Sequence, residues 1–242
     1  MTGNKGVSVE TTAAGAYPKI GDTTEEQKLR RAFHQFDKDE ISEEDLEQVK
    51  NEVTELVIRE QIDAGIDIIT DGLIRWSDPL IYEAARIFGY KISGLLRYFD
   101  TNTFYREPIV ETRLEYAKPI LTADYQFALQ HSSKPVKAIL TGPYTLAKLS
   151  KNTFYREFRQ LAFDLAHVIH QETKALEEAG AKYIQFDEPA LLSHKEDLKL
   201  FFQMYEIVTA QLSGSEKTVF FNFGNLEGIY PKILELLSLI HI

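Results

Sequence analysis

The chain has 242 residues, 44% hydrophobic and 26% charged, the proportions of a globular protein with one large core or at most two small ones. A formal net charge of -10, from 27 Lys+Arg against 37 Asp+Glu, argues against nucleic acid or an anionic membrane as the main partner. There is no cysteine, which excludes disulfides, thiol catalysis and any cysteine-built zinc or iron–sulfur site.

The opening MTGNKGVSVETT has no continuous apolar segment of the kind a signal peptide needs. Nothing in the chain approaches the roughly 20 apolar residues of a membrane span. The expected setting is the cytoplasm. A first β-type run, Val7 to Gly15, leads into GAYPKIG, where Gly15, Pro18 and Gly21 demand irregular backbone. Ser42 then reads as the N-cap of a helix with an acidic first turn, Glu43, Glu44 and Asp45. Leu46, Val49, Val53, Leu56, Val57 and Ile62 continue it at helical spacing until Gly65. IDIITDG is expected as a short buried strand with Asp71 at its exit.

From Leu73 to about Thr122 the pattern is irregular. VKAILTGPYT is a clear strand ending in Thr141-Gly142-Pro143, and Tyr155 to Ala179 is a long amphipathic helix stopped by Gly180. KYIQFDEPALLS then places Asp187 and Glu188 at the end of an apolar strand. A helix over Glu196–Leu212, a strand TVFFNFG and a last helix, Ile229–Leu237, complete the order. The hexapeptide NTFYRE occurs at Asn102–Glu107 and again at Asn152–Glu157. Without flanking similarity it is no repeat unit; the first copy is expected in a loop, the second leading into a helix.

Strand alternating with helix, with polar or glycine-rich strand exits, predicts an α/β protein of the (β/α)8 barrel type, whose ligands sit at the C-terminal strand ends. A doubly wound open sheet is the alternative, but no GxGxxG or GxxxxGK[ST] supports nucleotide binding. About six strand–helix units are visible at about 40 residues each, so the last one or two of the eight are expected to be missing. Residues 1–242 are read as one such domain, incomplete at its C-terminal end.

GAYPKIG, QIDAGIDIITDGLIRWSD, KPVKAILTGPYTLAKLS and YIQFDEPAL, in this order, resemble the cobalamin-independent methionine synthases, over about Thr11 to Leu237. The resemblance implies a (β/α)8 barrel that moves a methyl group from 5-methyltetrahydrofolate (polyglutamate) to homocysteine, with zinc on the thiolate and no cobalamin. It implies that Asp187 holds the substrate's amino group, and Lys19 and Arg30 become candidates for an acidic folate tail. Asp71, Arg75, Thr141, Gly142 and Glu188 join them as candidates at strand ends. Trp76, the single tryptophan, would stack on a pterin face or pack beneath a loop.

Each candidate has a plainer reading: capping for Asp187 and Glu188, mutual pairing or a pair with Asp78 for Asp71 and Arg75, solvation for Lys19 and Arg30. His167 and His170, three apart on a helix, and His194 after DEPALLS are the histidines nearest to a ligand role. Departures from the family pattern are equally specific. Phe220 and Asn222 stand where His and Cys zinc ligands are expected, Leu73 replaces an acidic residue that contacts homocysteine, and Ala16 replaces a serine. QKLRRAF, RWSD and RYFDTN match the family's non-catalytic barrel better, whereas KPVKAILTGPYT matches the catalytic one. Two functions therefore stand side by side: a methyltransferase, or a zinc-free barrel that binds folate or an amino acid or supports a second, catalytic barrel.

Overall fold

The computed structural model describes residues 9–19 and 22–238, in two compact units. The first comprises the chain up to Ile74 with Ala128–Val136; the second comprises Arg75–Phe127 and everything from Lys137 onward. Val7 and Gly21 lie outside the described residues, as does the end of ILELLSLIHI.

In the first unit, α1 (Lys28–Phe36) packs on α2 (Glu43–Asp63) through a cluster of Leu29, Val57 and Ile74. Ser42 closes a capping box: its hydroxyl accepts from the Asp45 N–H while the Asp45 carboxylate accepts from the Ser42 N–H at 2.9 Å. Gly65, at φ 79°, ends the helix in the left-handed region.

IDIITDG differs from expectation. It carries only two isolated parallel bridges, Thr12–Ile68 and Ile69–Val136. The Gln61 side chain takes the place of a ladder, donating to the Thr70 carbonyl at 2.9 Å and accepting from the Thr70 N–H at 3.0 Å. Gly72 is needed here for two reasons. It sits at φ 69°, and a Cβ would meet Val57 at 2.7 Å and Tyr17 at 2.9 Å.

The second unit holds two three-stranded sheets. The short helix α3 (Ile81–Ala84) precedes the first, an antiparallel hairpin of β1 (Phe88–Arg97) and β2 (Phe104–Glu115) with two register shifts. The hairpin lies within the stretch whose pattern is irregular in sequence. The second NTFYRE copy touches β2 through the two-residue β4 (Lys151–Asn152), while the first lies largely in β2, not in a loop. One hexapeptide thus adopts two conformations. Cross-strand partners hold the first, and Asn152 Oδ1, accepting from the Tyr155 N–H at 2.9 Å, turns the second toward a helix.

The other sheet is parallel, in the order β3-β5-β6: β3 (Lys137–Thr141), β5 (Tyr183–Asp187) and β6 (Glu216–Phe220). Helix α4 (Thr122–Gln130) precedes it, and the division between the units falls within this helix. α5 (Pro143–Lys148), α6 (Phe158–Glu178) and α7 (Leu198–Val208) connect and cover the strands. Tyr144, Leu161, Leu165, Phe186, Phe201 and Tyr205 are fully buried between them, the leucines and phenylalanines each contributing roughly 1.5–3 kcal/mol by leaving water.

α7 is shorter than expected because a 3-10 turn, Lys195–Asp197, precedes it. The expected final helix is a 3-10 helix, Lys232–Ser238, opening just after Pro231, whose ring nitrogen has no proton to donate. The protein is α/β. Among the described residues no helix is long and apolar enough to cross a membrane.

Candidate functional site

β5 is apolar because it is the central strand of a sheet covered by helices. Its period-2 alternation places Gln185 and Asp187 on one face and Ile184 and Phe186 on the other. Register aligns Thr141, Asp187 and Phe220 side by side at the C-terminal edge. Pro189 then opens a 3-10 turn, Pro189–Ser193.

Asp187 is half-buried, and its Oδ1 accepts from Gln185 Nε2 at 2.7 Å. Burial pushes its carboxyl up to about 7, against the downward pull of the Gln185 hydrogen bond and of the Lys137 charge. Lys137, buried at the start of β3, is pushed down to about 8 by the same desolvation while Asp187 holds it up. Lysine, glutamine and aspartate thus form a buried polar line ending at the strand exit.

Glu188 is 0% exposed, with both oxygens occupied by protein donors. Oε1 accepts from the Tyr144 N–H at 3.1 Å and the Tyr205 hydroxyl at 2.9 Å, and Oε2 from the Thr145 N–H at 2.7 Å. It caps the first turn of α5. Desolvation nevertheless raises its carboxyl to about 7. Gly142 makes room for it: a Cβ at 142 would fall inside the Glu188 carboxyl group. Thr141 is similarly engaged, its N–H donating to Glu83 Oε1 at 2.8 Å and its hydroxyl to the Pro79 carbonyl at 2.7 Å.

Glu83 is the site residue that sequence reading missed. It is 1% exposed, its Oε2 has no hydrogen-bond partner, and burial raises its carboxyl well above the usual range, the charges of Glu172, Asp187 and Glu188 adding to this against the Thr141 hydrogen bond. It sits on a four-residue helix inside the irregular stretch, where no periodicity marks it. Lys137 and Gln185 had a signal, since each interrupts an apolar strand.

The other candidates are placed as follows. Arg75 Nε lies 3.3 Å from Asp124 Oδ1, and its guanidinium sits over the Phe127 ring; Asp124 is a partner the sequence did not indicate. Asp78 caps α3, accepting from the Ile81 N–H at 2.7 Å. Trp76 is 4% exposed and stacked on Tyr82 at 5.4 Å. In the first unit, Asp71 Oδ1 accepts from the Leu73 N–H at 3.0 Å, Lys19 is half-buried, and Arg30 is exposed on α1. His170 Nδ1 lies 3.1 Å from the Val208 carbonyl, and His194 Nδ1 lies 3.5 Å from Glu196.

The donor set does not fit zinc. Phe220 offers no donor, Asn222 offers only a neutral amide whose buried oxygen has no hydrogen-bond partner, and the chain has no thiolate. Among the described residues no group of three or more His, Asp or Glu side chains is placed to hold a metal ion.

Carboxylates delivered to the C-terminal edge of a helix-covered parallel sheet define an α/β protein with polar groups gathered at its strand ends. The family model described as cobalamin-independent synthase, catalytic domain, matches residues 9–207. The chain belongs to the cobalamin-independent methionine synthase family, and the match is to its catalytic domain, on a point the motifs left divided.

The methionine synthase of Sulfurisphaera tokodaii is 40% identical over 190 residues, covering 78% of this chain and 54% of that protein. That of Saccharolobus solfataricus is 40% identical over 189 residues, covering 78% and 55%. The chain therefore spans about half the length of the curated relatives it matches. Among solved structures, a B12-independent methionine synthase from Shewanella sp. W3-18-1, in complex with selenomethionine, shares the fold with TM-score 0.73 at 24% identity, over 88% of this chain and 61% of that one. A protein of Listeria monocytogenes assigned as a vitamin-B12-independent methionine synthase aligns with TM-score 0.74 at 16% identity, over 97% and 72%.

Proposed function

We propose that the chain serves methionine-synthase-type methyl transfer, from 5-methyltetrahydrofolate (polyglutamate) to homocysteine, and that Asp187 receives the amino group of the amino acid. In the overall reaction the N5–CH3 bond breaks, the S–CH3 bond forms, and the proton lost from sulfur is balanced by one gained at N5. The observation that carries the reading is the half-buried Asp187 carboxylate at a strand exit, held by Gln185 and backed by the Lys137 charge. Gln185 orients the carboxylate, Lys137 favours its ionised form, and an ammonium group would donate to the oxygen that Gln185 leaves outside its contact. Glu188, Thr141 and Gly142 act as the frame of this site. Asp71, Arg75, Trp76, Lys19 and Arg30 remain candidates for substrate contact within the same reading, as does the cytoplasm as its setting.

The wider architecture belongs to this proposal too. Residues 1–242 are read as one (β/α)8-type domain lacking its last one or two βα units, a reading supported by the likeness to the two solved structures. A second reading is favoured by Phe220 and Asn222: a zinc-free barrel that binds the amino acid or folate, or supports a second, catalytic barrel, without transferring the methyl group itself.

The test is calorimetric titration with homocysteine and methionine between pH 6 and pH 8. An ammonium that requires ionised Asp187 should bind about tenfold more tightly at pH 8 than at pH 6, because a carboxyl titrating near 7 is mostly protonated at the lower value. Asp187→Asn should lower affinity and abolish the pH dependence. Equal affinity of both proteins at every pH would refute the assignment. Methyl transfer by the chain alone, assayed with added zinc, would remove the second reading.

A further inference from the structure

Glu83 on α3 feels three other carboxyl groups, Glu172 on α6 and Asp187 and Glu188 at the exit of β5. Two of the three are committed to the frame. Glu172 accepts from the Tyr116 hydroxyl at 3.0 Å and from the Ile120 and Leu121 N–H groups, each at 2.8 Å. Glu188 is held by Tyr144, Thr145 and Tyr205. Asp187 is the one with an oxygen outside its protein contact.

Glu83 itself is held through one oxygen. Its Oε1 accepts from the Thr141 N–H, and Thr141 faces Asp187 across the β3–β5 ladder. The next N–H, of Gly142, donates to the Asp187 carbonyl at 2.9 Å, so the exit of β3 joins the two acids. Glu83 Oε2 is buried without a hydrogen-bond partner. An ionised carboxylate there would leave an unsatisfied charge beside three other acids, which burial penalises heavily. A neutral carboxylic acid instead carries its proton on Oε2 and becomes a donor that requires an acceptor.

We propose that Glu83 is a positioning residue for the amino-acid site: as a neutral acid it donates, through one buried water, to the oxygen of Asp187 that Gln185 leaves open. One proton then serves both carboxyls, and Asp187 is the one left ionised to meet an ammonium group. The inference rests on the Asp187 reading above. Other groups facing the pair titrate outside its range or are common to every variant below. Tyr90 in β1, Tyr98 just beyond it and Tyr205 on α7 are pushed up by burial. Lys137 on β3, which titrates near about 8, is present throughout.

The test is calorimetric titration of the 242-residue chain with methionine at pH 6 and pH 8.5. Glu83→Met fills similar space without a donor. It should raise the midpoint of the Asp187 titration by about one pH unit, the scale of one hydrogen bond to a charged group. Methionine should then bind about tenfold more weakly at pH 6 and within about twofold of wild type at pH 8.5. A merely structural role would weaken binding equally at both values. Glu83→Gln keeps an acceptor for the Thr141 N–H and an N–H donor in place of the O–H, and should restore the wild-type pH dependence. Equal weakening at both values in Glu83→Met, no weakening, or a shift of the midpoint in Glu83→Gln overturns the proposal. If Glu83→Met does not fold, Glu83→Gln decides alone. Replacing a neutral acid leaves the midpoint in place, whereas removing an ionised one moves it down. Asp187→Asn keeps the two readings apart. No binding of methionine by wild type, or equal binding by Asp187→Asn, removes the Asp187 reading and this inference with it. Loss of binding in Asp187→Asn, with no pH-selective loss in Glu83→Met, removes this inference alone.

Discussion

Glu188 shows how a carboxylate at a strand exit can be committed to the protein's own frame. Three donors from two elements converge on it, so it fixes the start of α5 and the position of Tyr205. Asp187, its neighbour, points to the opposite face and keeps one oxygen outside the Gln185 contact. Two adjacent acids therefore have different tasks because strand side chains alternate. Gly142 follows from Glu188: Gly142→Ala should cost about 1–3 kcal/mol by overpacking against a carboxyl group that cannot move. An unchanged urea midpoint for this variant would mean that the α5 turn is looser than its hydrogen bonds imply.

At the scale of elements, local signals prevail where an element caps itself. α2 starts at Ser42 with both halves of its capping box and stops at Gly65, as its sequence indicates. Ser42→Ala should cost about 0.5–2 kcal/mol, read from the denaturant midpoint at constant m value, with Ser42→Asp nearer to wild type. The hairpin is the opposite case. β1 is mostly exposed and carries Leu95 and Leu96 on its surface, so no half-buried alternation announces it. Its pairing with β2 is what makes it a strand, and the same holds for the first NTFYRE copy.

For the whole molecule, buried charge dictates how stability depends on pH. Asp187 and Glu188 have folded values near 7, raised from 3.8 and 4.5, so between about pH 4 and 7 the folded chain holds more protons than the unfolded one. Stability therefore falls as pH rises through that window. Lys137 is lowered from 10.5 to about 8, so the folded chain holds fewer protons above pH 8, and stability rises there until the tyrosines begin to titrate. Chemical denaturation across pH 4–10 should give a minimum near pH 7–8. Lys137→Met should flatten the alkaline limb, and Asp187→Asn should shallow the acidic one. A curve that climbs from pH 5 to 7 would show that these carboxyls are ionised in the folded state without penalty.

The sequence by itself determined the α/β class, the positions of α2, β3, α6 and β5, the family, and the candidacy of Asp187, because apolar periodicity, caps and motif strings are local properties. It also set the chemical conflict at Phe220 and Asn222, since residue identity alone decides whether a donor exists. Tertiary structure decided which acids are engaged by the protein. It brought Glu83 to Thr141, assigned Asp124 to Arg75, covered Trp76 with Tyr82 and set Phe99 against Phe223. Those pairings join residues from separate elements, and the burial that raises the Glu83 carboxyl exists only once the chain has folded.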